Sequence, residues 1–473
     1  MTTFFKQHIA LWVALAMLGL AGGWPFVGFP LTDADIAHWV PIAREIQLTG
    51  RFLTSSHDQT HGPILAWTAA MFGFFSPHSF FLYNAFNWLC GLWGLVVMYV
   101  AGGMLWGRRV ASLAVGMAAS SLSWVYLSRT PMYDWPAAMG LWSAMMMWWL
   151  WVDQQKRWAY WLAWVSLSIA GVSRFSITLG LMACFVGVLA WVYRRGWVAT
   201  MVDWVGLKIA TMAVLGVWLV AQYHTHGNPF VAEWIWDNVG RYIKEPGNAP
   251  VYRDYYGFTL IMLVGLLPHT FMMLGTLLQK GLWKRWQQDR RYWVLLAGWV
   301  PCLLLFSFSG HVKLARYISY VFPMAFLFLS VNLIQFDLHN PIWVKRVSRF
   351  MLGMMGLMAL LLTITASQFP HEVAQSPLLV GGFLVFVVGL MTSGWLFFNR
   401  QWRWIAAENE AQFRWKMDWL SWGVWGMSFG MIVSILAVEY HRVPYLKIVR
   451  DELIREIRRV EVHNTSTQFI HRP

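Results

Sequence analysis

Apolar runs of membrane-crossing length recur from one end of this chain to the other, with only short polar loops between them. A bilayer core asks for ~20 consecutive apolar residues per helix. By that yardstick spans fall at 9–24, 80–105, 110–127, 136–152, 158–171, 175–192, 205–221, 258–278, 294–308, 318–334, 350–364, 378–397 and 420–438. About thirteen helices follow, and the fold class is an all-α polytopic membrane protein with residues 1–438 as one domain. Composition agrees: 58% of the 473 residues are hydrophobic and 12% are charged, too little charge to cover a soluble protein of this length. The 34 tryptophans suit membrane interfaces, where the ring is buried and its N–H stays wet.

A net charge of +14 would suggest nucleic acid in a soluble chain. Here the basic residues gather in alternate short loops, at 108–109, 156–157, 194–195, 280–291, 345–349 and 400–416. That is the pattern of cytoplasmic loops facing anionic lipid, so no nucleic-acid partner is expected. The N-terminus is then cytoplasmic and the tail 439–473 lies outside. The tail is itself basic (Arg442, Lys447, Arg450, Arg455, Arg458, Arg459), against the rule. The first run lacks a small-residue cleavage site before Trp24-Pro25-Phe26 and reads as a retained helix. Cys90, Cys184 and Cys302 sit in apolar spans without CxxC spacing and read as small core residues.

The opposite loops hold the polar chemistry. In the first outer loop, 25–79, Ile36, Trp39, Val40, Ala43 and Ile46 recur at helical spacing, as do Ile64, Trp67, Met71 and Phe75. Both stretches read as amphipathic helices lying in the interface, separated at Gly50. A second outer loop spans 222–257, and a third spans 310–317.

Asp33 and Asp35 follow the first span. A carboxylate there serves as a general base, or as a metal or substrate ligand, or Asp35 simply caps the helix that follows. His57, Asp58 and His61 cluster before Gly62-Pro63; they are weak metal candidates against a reading as solvated loop residues. Arg129 and Asp134 flank Pro131 and can pair with each other. Arg174 stands alone in another outer turn, where it can snorkel to water. His311, Lys313 and Arg316 put clustered cations outside, against the usual bias, and a phosphate is the natural reason: Arg offers a fork of donors and Lys a point charge.

Taken in order, these stretches resemble the GT-C membrane glycosyltransferases, in their ArnT-like and protein-mannosyltransferase-like branch. Thr32-Asp33-Ala34-Asp35-Ile36-Ala37-His38-Trp39, continuing to Ile46, is similar to the family's acidic motif after the first helix, with Asp35 at the leading aspartate. Ile36 stands where an acidic neighbour is usual. His61-Gly62-Pro63-Ile64-Leu65 resembles the family's Lys-Pro-Pro-Leu stretch, with His61 in place of a phosphate-contacting lysine. Asp237 to Tyr242, Tyr255-Tyr256 and Gly265 to Pro268 look like the long outer loop and the next helix. His311 to Tyr317, up to Pro323, is similar to a basic loop with Tyr and Pro. Arg129 and Asp134 fall where the family has an arginine and an aspartate. The likeness covers roughly the first 330 residues. A larger C-terminal soluble domain is not seen within these 473 residues.

The resemblance implies transfer of a sugar from a polyprenyl (undecaprenyl) phosphate carrier to an outer acceptor: lipid A or lipopolysaccharide, another glycan or a protein. It implies a plasma (inner) membrane enzyme with its site facing the periplasm or exterior, surrounded by membrane lipids. Asp35, then Asp33, are the expected catalytic residues. Lys313, Arg316, Tyr317, His61 and Arg241 are expected on the donor phosphate. Arg129, Asp134, Tyr242 and His311 are expected on substrate. It names no particular cofactor, and a divalent cation stays open. Two rivals are a lipid-linked sugar ligase or polymerase, and a non-enzymatic transporter of such a lipid. The first does not predict the early Asp33/Asp35 motif with paired interfacial helices. The second predicts polar residues at mid-membrane and repeated halves.

Overall fold

The computed structural model describes residues 8, 11–16, 18, 36–54, 62–75, 80–130, 132–240, 257–266, 269–270, 273, 277, 282–308 and 315–334. The expected spans at 350–364, 378–397 and 420–438 and the basic tail lie outside the described residues. So do Asp33, Asp35, His57, Asp58, His61, Arg241, Tyr242, His311 and Lys313.

The described residues form an all-α polytopic bundle. In chain order come α1 (Ile36–Thr49), α2 (Ile64–Gly73), α3 (Phe80–Trp106), α4 (Arg108–Ala119), α5 (Leu122–Arg129), α6 (Asp134–Gln154) and α7 (Arg157–Ser173). Next are α8 (Phe175–Val192), α9 (Trp197–His226) and α10 (Asn228–Ile235), which runs into a π-turn (Trp236–Gly240). Then follow α11 (Gly257–Gly265), α12 (Leu282–Gln288), α13 (Arg291–Phe308), a 3-10 turn (Ala315–Tyr320) and α14 (Phe322–Ile334).

Helix α6 is the axis of the bundle. Every residue from Asp134 to Leu150 is buried, including Trp135, Trp142, Trp148 and Trp149. A helix apolar all round belongs in an interior. α3, α7 and α8 pack around it, and the 3-10 turn meets it near Asp134. The contact with α7 is a backbone approach. A Cβ on Gly140 would stand 2.7 Å from the Ser166 carbonyl oxygen and 2.9 Å from the Ala170 amide nitrogen. In lipid, where hydrophobic drive between helices is absent, such close packing at small residues is what holds helices together. Gln155 makes the reversal into α7 in the left-handed conformation, φ 54°, and its N–H closes onto the Trp151 carbonyl at 2.8 Å.

By length and apolar composition, Ala85–Trp106, Phe175–Val192 and Arg291–Phe308 are membrane spans among the described residues; α9 makes a fourth if its bent halves count as one. The outward face of α9 carries Val198, Val202, Val205, Ile209, Val217 and Val220, all exposed, as a lipid-facing stripe should be. Cys90 and Cys302 are buried as expected, but Cys184 is exposed on α8 and is not a core residue.

The run 110–127 is not one helix. It divides at Ser120-Ser121, between α4 and α5. The Ser121 hydroxyl accepts from the Trp124 N–H at 3.2 Å, an N-cap, while the Ser120 hydroxyl donates to the Gly116 carbonyl at 2.6 Å. Two serines thus satisfy backbone groups that an apolar break would orphan inside the bundle. Ser120 also bonds the fully buried His269 Nε2 at 3.0 Å, just beyond the end of α11. The run 258–278 therefore also departs from one unbroken helix: α11 stops at Gly265, and the His269 N–H turns back to the Leu266 carbonyl at 2.7 Å.

Candidate functional site

The helix order places two sets of loops at opposite ends of the bundle. One end collects the start of α6, the junction of α7 and α8, the π-turn after α10 and the 3-10 turn before α14. These are the loops that the charge pattern assigned to the outer face. The other end collects the turns at 107–109, 153–157, 193–196 and 289–291, the basic set.

At the first end the two interfacial helices pack against each other. Trp39, Val40, Ala43 and Ile46 of α1 are buried, the face expected from their spacing. α2 turns its large apolar residues outward instead, as a helix lying in the interface can. Leu65, Ala66, Ala69 and Ala70 are buried, while Met71 is 58% and Phe75 83% exposed. The small side chains let α2 lie close on α1, and the large ones are left for lipid. Tyr133 joins the same buried cluster, so the helix that Asp35 precedes packs around the residue next to Asp134.

The turn before Asp134 is fixed from α3: the Asn87 amide donates to the Thr130 and Met132 carbonyls at 2.7 and 3.1 Å. Asp134 does not stand in a simple local pair. Its Oδ1 lies 3.2 Å from Arg174 Nε and its Oδ2 lies 3.4 Å from Arg316 Nε. Arg174 Nη1 lies 3.7 Å from Asp237 Oδ2. Arg129 is the last residue of α5, and its side chain lies outside the described residues.

Arg174 therefore does not snorkel to water. It is buried, between two carboxylates and 5.9 Å from the centre of the Tyr133 ring. No acidic residue stands near it in sequence and its partners lie on distant loops, so local sequence held no sign of the ion pairs. The clue that was available is the one applied to 311–316: a cation on the less basic side asks for an anion. Asp237, at the head of the long outer loop, is the second residue whose charge matters and whose role local sequence did not mark.

Two acids and two arginines make a quartet of zero formal charge, graded in exposure. The side chains of Asp134 and Arg174 are 3% and 5% exposed, those of Arg316 and Asp237 14% and 13%. Arg316 is the arginine a ligand can reach, and Arg174 is closed off. Tyr317 is buried, its ring stacked on Phe306 at 5.6 Å, and Arg316 lies 5.8 Å from its centre. Asp134 fixes both guanidinium planes, and of the two arginines Arg316 is the one that can offer its fork of donors to an anion. No group of three or more metal-ligating side chains occurs among the described residues.

The sequence matches no family model and no curated protein. Solved structures do match. ArnT from Cupriavidus metallidurans in the apo state superposes with a TM-score of 0.71 at 15% identity, over 93% of this chain and 78% of that one. The same protein bound to undecaprenyl phosphate gives a TM-score of 0.70 at 16% identity, over 91% and 77%. The apo Archaeoglobus fulgidus oligosaccharyltransferase gives 0.53 at 11% identity, over 95% of this chain and 60% of that one. The chain has the ArnT-like GT-C fold.

Proposed function

We propose that this protein is a glycosyltransferase that takes a sugar from a polyprenyl phosphate carrier and delivers it to an acceptor on the outer face of the membrane. The observation that carries the proposal is Arg316, from the basic loop, held at the rim of a buried ion cluster by Asp134. The likeness of fold to a protein seen bound to undecaprenyl phosphate supports the same carrier here.

The chemistry follows from the leaving group. The bond between the anomeric carbon and the phosphate oxygen breaks, and its electron pair stays on the phosphate. A phosphate leaves without a strong acid, so the site must chiefly stabilise the growing negative charge. Arg316 and Lys313 suit that task, with Arg241 and His61 as further donors to the phosphate; Tyr317, expected among them, is buried against Phe306 and backs Arg316 instead. An acceptor hydroxyl forms the new bond from the opposite side, with inversion, and loses its proton to Asp35, with Asp33 as second base. Arg129, Tyr242 and His311 line the substrate, while Asp134, expected beside them, is sealed and holds Arg316 instead. An acceptor that is already ionised needs no base, and Asp35 then orients it or binds a cation.

The test is sugar transfer by the purified full chain from undecaprenyl phosphate sugars to a panel of lipid, glycan and peptide acceptors. Asp35→Asn is expected to lower turnover by about 10²-fold or more. Arg316→Ala and Lys313→Ala are expected to weaken the donor step by about 10²-fold. Normal turnover in Asp35→Asn and Lys313→Ala sinks the residue assignment. No transfer by the wild type to any acceptor sinks the enzyme reading and favours a transporter.

A further inference from the structure

We infer that Arg174 is a positioning residue: it ties the outer-loop turn at Asp237 to Arg316 through Asp134, and so sets the orientation of the carrier-binding guanidinium. The inference rests on the carrier reading above and adds to it the element that aligns the site.

Four segments distant in sequence converge on the turn at 172–176. From the first outer loop comes Gly62, where a Cβ would overlap the Val172 carbonyl oxygen; no other residue fits that approach. From the start of α6 comes Asp134. From the second outer loop come Asp237, beside Arg174, and the Asn238 carbonyl, which accepts the Ser176 hydroxyl. From the basic loop comes Arg316, reached through the other oxygen of Asp134. The stretches that carry Gly62, Asp134, Asp237 and Arg316 thus meet this turn directly or by one step.

Arg174 is held so that it can transmit position. Its N–H bonds the Ala170 carbonyl at 2.8 Å and its carbonyl accepts the Thr178 hydroxyl at 2.6 Å, locking it between α7 and α8. A planar guanidinium can face two carboxylates at once in fixed geometry, which an ammonium on a flexible stem cannot. Its burial keeps it from touching a ligand, so it acts on binding through its partners, and Asp134 is the one that reaches Arg316. A buried ion cluster is a poor way to gain stability compared with apolar packing, so its presence at this junction points to alignment.

The experiment measures equilibrium binding of undecaprenyl phosphate alone to the full chain, with thermal melting of each variant in parallel. Arg174→Lys keeps the charge and loses the fork. It is expected to melt close to wild type and to bind the carrier about tenfold more weakly. In transfer it raises the donor KM and leaves the acceptor KM unchanged. Asp237→Asn moves the same way by about threefold. The Arg174→Lys/Arg316→Lys double variant binds no more weakly than Arg316→Lys, because one acts through the other. Wild-type affinity in Arg174→Lys, or losses that multiply in the double variant, overturns the inference. If Arg174→Lys does not fold, wild-type affinity in Asp237→Asn overturns it instead. Binding that is lost in Arg316→Ala and kept in Arg174→Lys and Asp237→Asn overturns this inference alone. A wild type that does not bind undecaprenyl phosphate overturns the carrier reading, and this inference with it.

Discussion

The two ends of the bundle both carry arginine–aspartate pairs, and they use them differently. At the basic end Arg195 pairs with Asp203 and Arg291 with Asp289, all of them partly exposed. Each arginine also lies over a tryptophan: Arg195 is 4.4 Å from the Trp151 ring centre and Arg291 is 4.5 Å from that of Trp106. Tyr193 takes a hydrogen bond from Trp149 and donates to Asp153 beside them. These are short-range pairs within or between neighbouring turns, wet on one side. At the other end Asp134 and Arg174 are sealed, and their partners come from loops far apart in the chain. Wet pairs of this kind contribute little to stability and suit a face that meets lipid headgroups. Sealed charges are expensive, and they belong where geometry must be held.

The sharpest way to break this contrast is Asp134→Ala. It leaves the buried Arg174 and the rim residue Arg316 without their shared counter-ion, and we expect a stability loss of about 3–5 kcal/mol, read by thermal melting in detergent. A loss below that of a surface pair would remove the distinction between the ends. Gly62→Ala comes next. The added methyl meets the Val172 carbonyl, a backbone atom that cannot step aside, and a loss of about 1–3 kcal/mol is expected by the same assay. Asp203→Ala at the basic end is expected to cost at most ~1 kcal/mol, with transfer activity unchanged. The smallest effect is acid dependence at Asp289. Burial alone would raise its pKa from 3.8, but hydrogen bonds from the Arg291 side chain and N–H, together with the Arg291 charge, outweigh it and hold the group below that value. The folded pKa lies under the unfolded one, so the stabilisation is complete above the ordinary carboxylate range. It is lost as pH falls through the folded value, below 3.8. Asp289→Asn should therefore flatten the melting profile only at the acid edge, and an equal change at neutral and acid pH would count against it.

Much of this architecture is legible in the sequence. The run 175–192 is α8 residue for residue, and the periodicity of Trp39, Val40, Ala43 and Ile46 marks the buried face of α1. Legibility fails where small residues do the packing. In α2 the eye follows Trp67, Met71 and Phe75, whereas Ala66, Ala69 and Ala70 make the contact, because in lipid a large apolar side chain gains little by turning inward. The break at Ser120-Ser121 is hidden because two serines hardly dent an apolar run, although they supply what a broken helix needs. Of the site, Asp134 and Arg316 are legible as charges on the right loops. Their joining through Arg174 is not, since ion pairs between distant loops leave no periodicity behind.

The buried length of α6 has a further consequence. Its 21 residues make a rod about 30 Å long, with Asp134 at one tip and Gln154 at the other. It is buried from Asp134 to Leu150 and packed by α3, α7, α8 and the 3-10 turn. It works as a ruler along the bundle: the distance between Asp134 and the basic end is set by counting residues along α6. Deleting or inserting one helical turn within it would shift Asp134 along the bundle by about 5 Å.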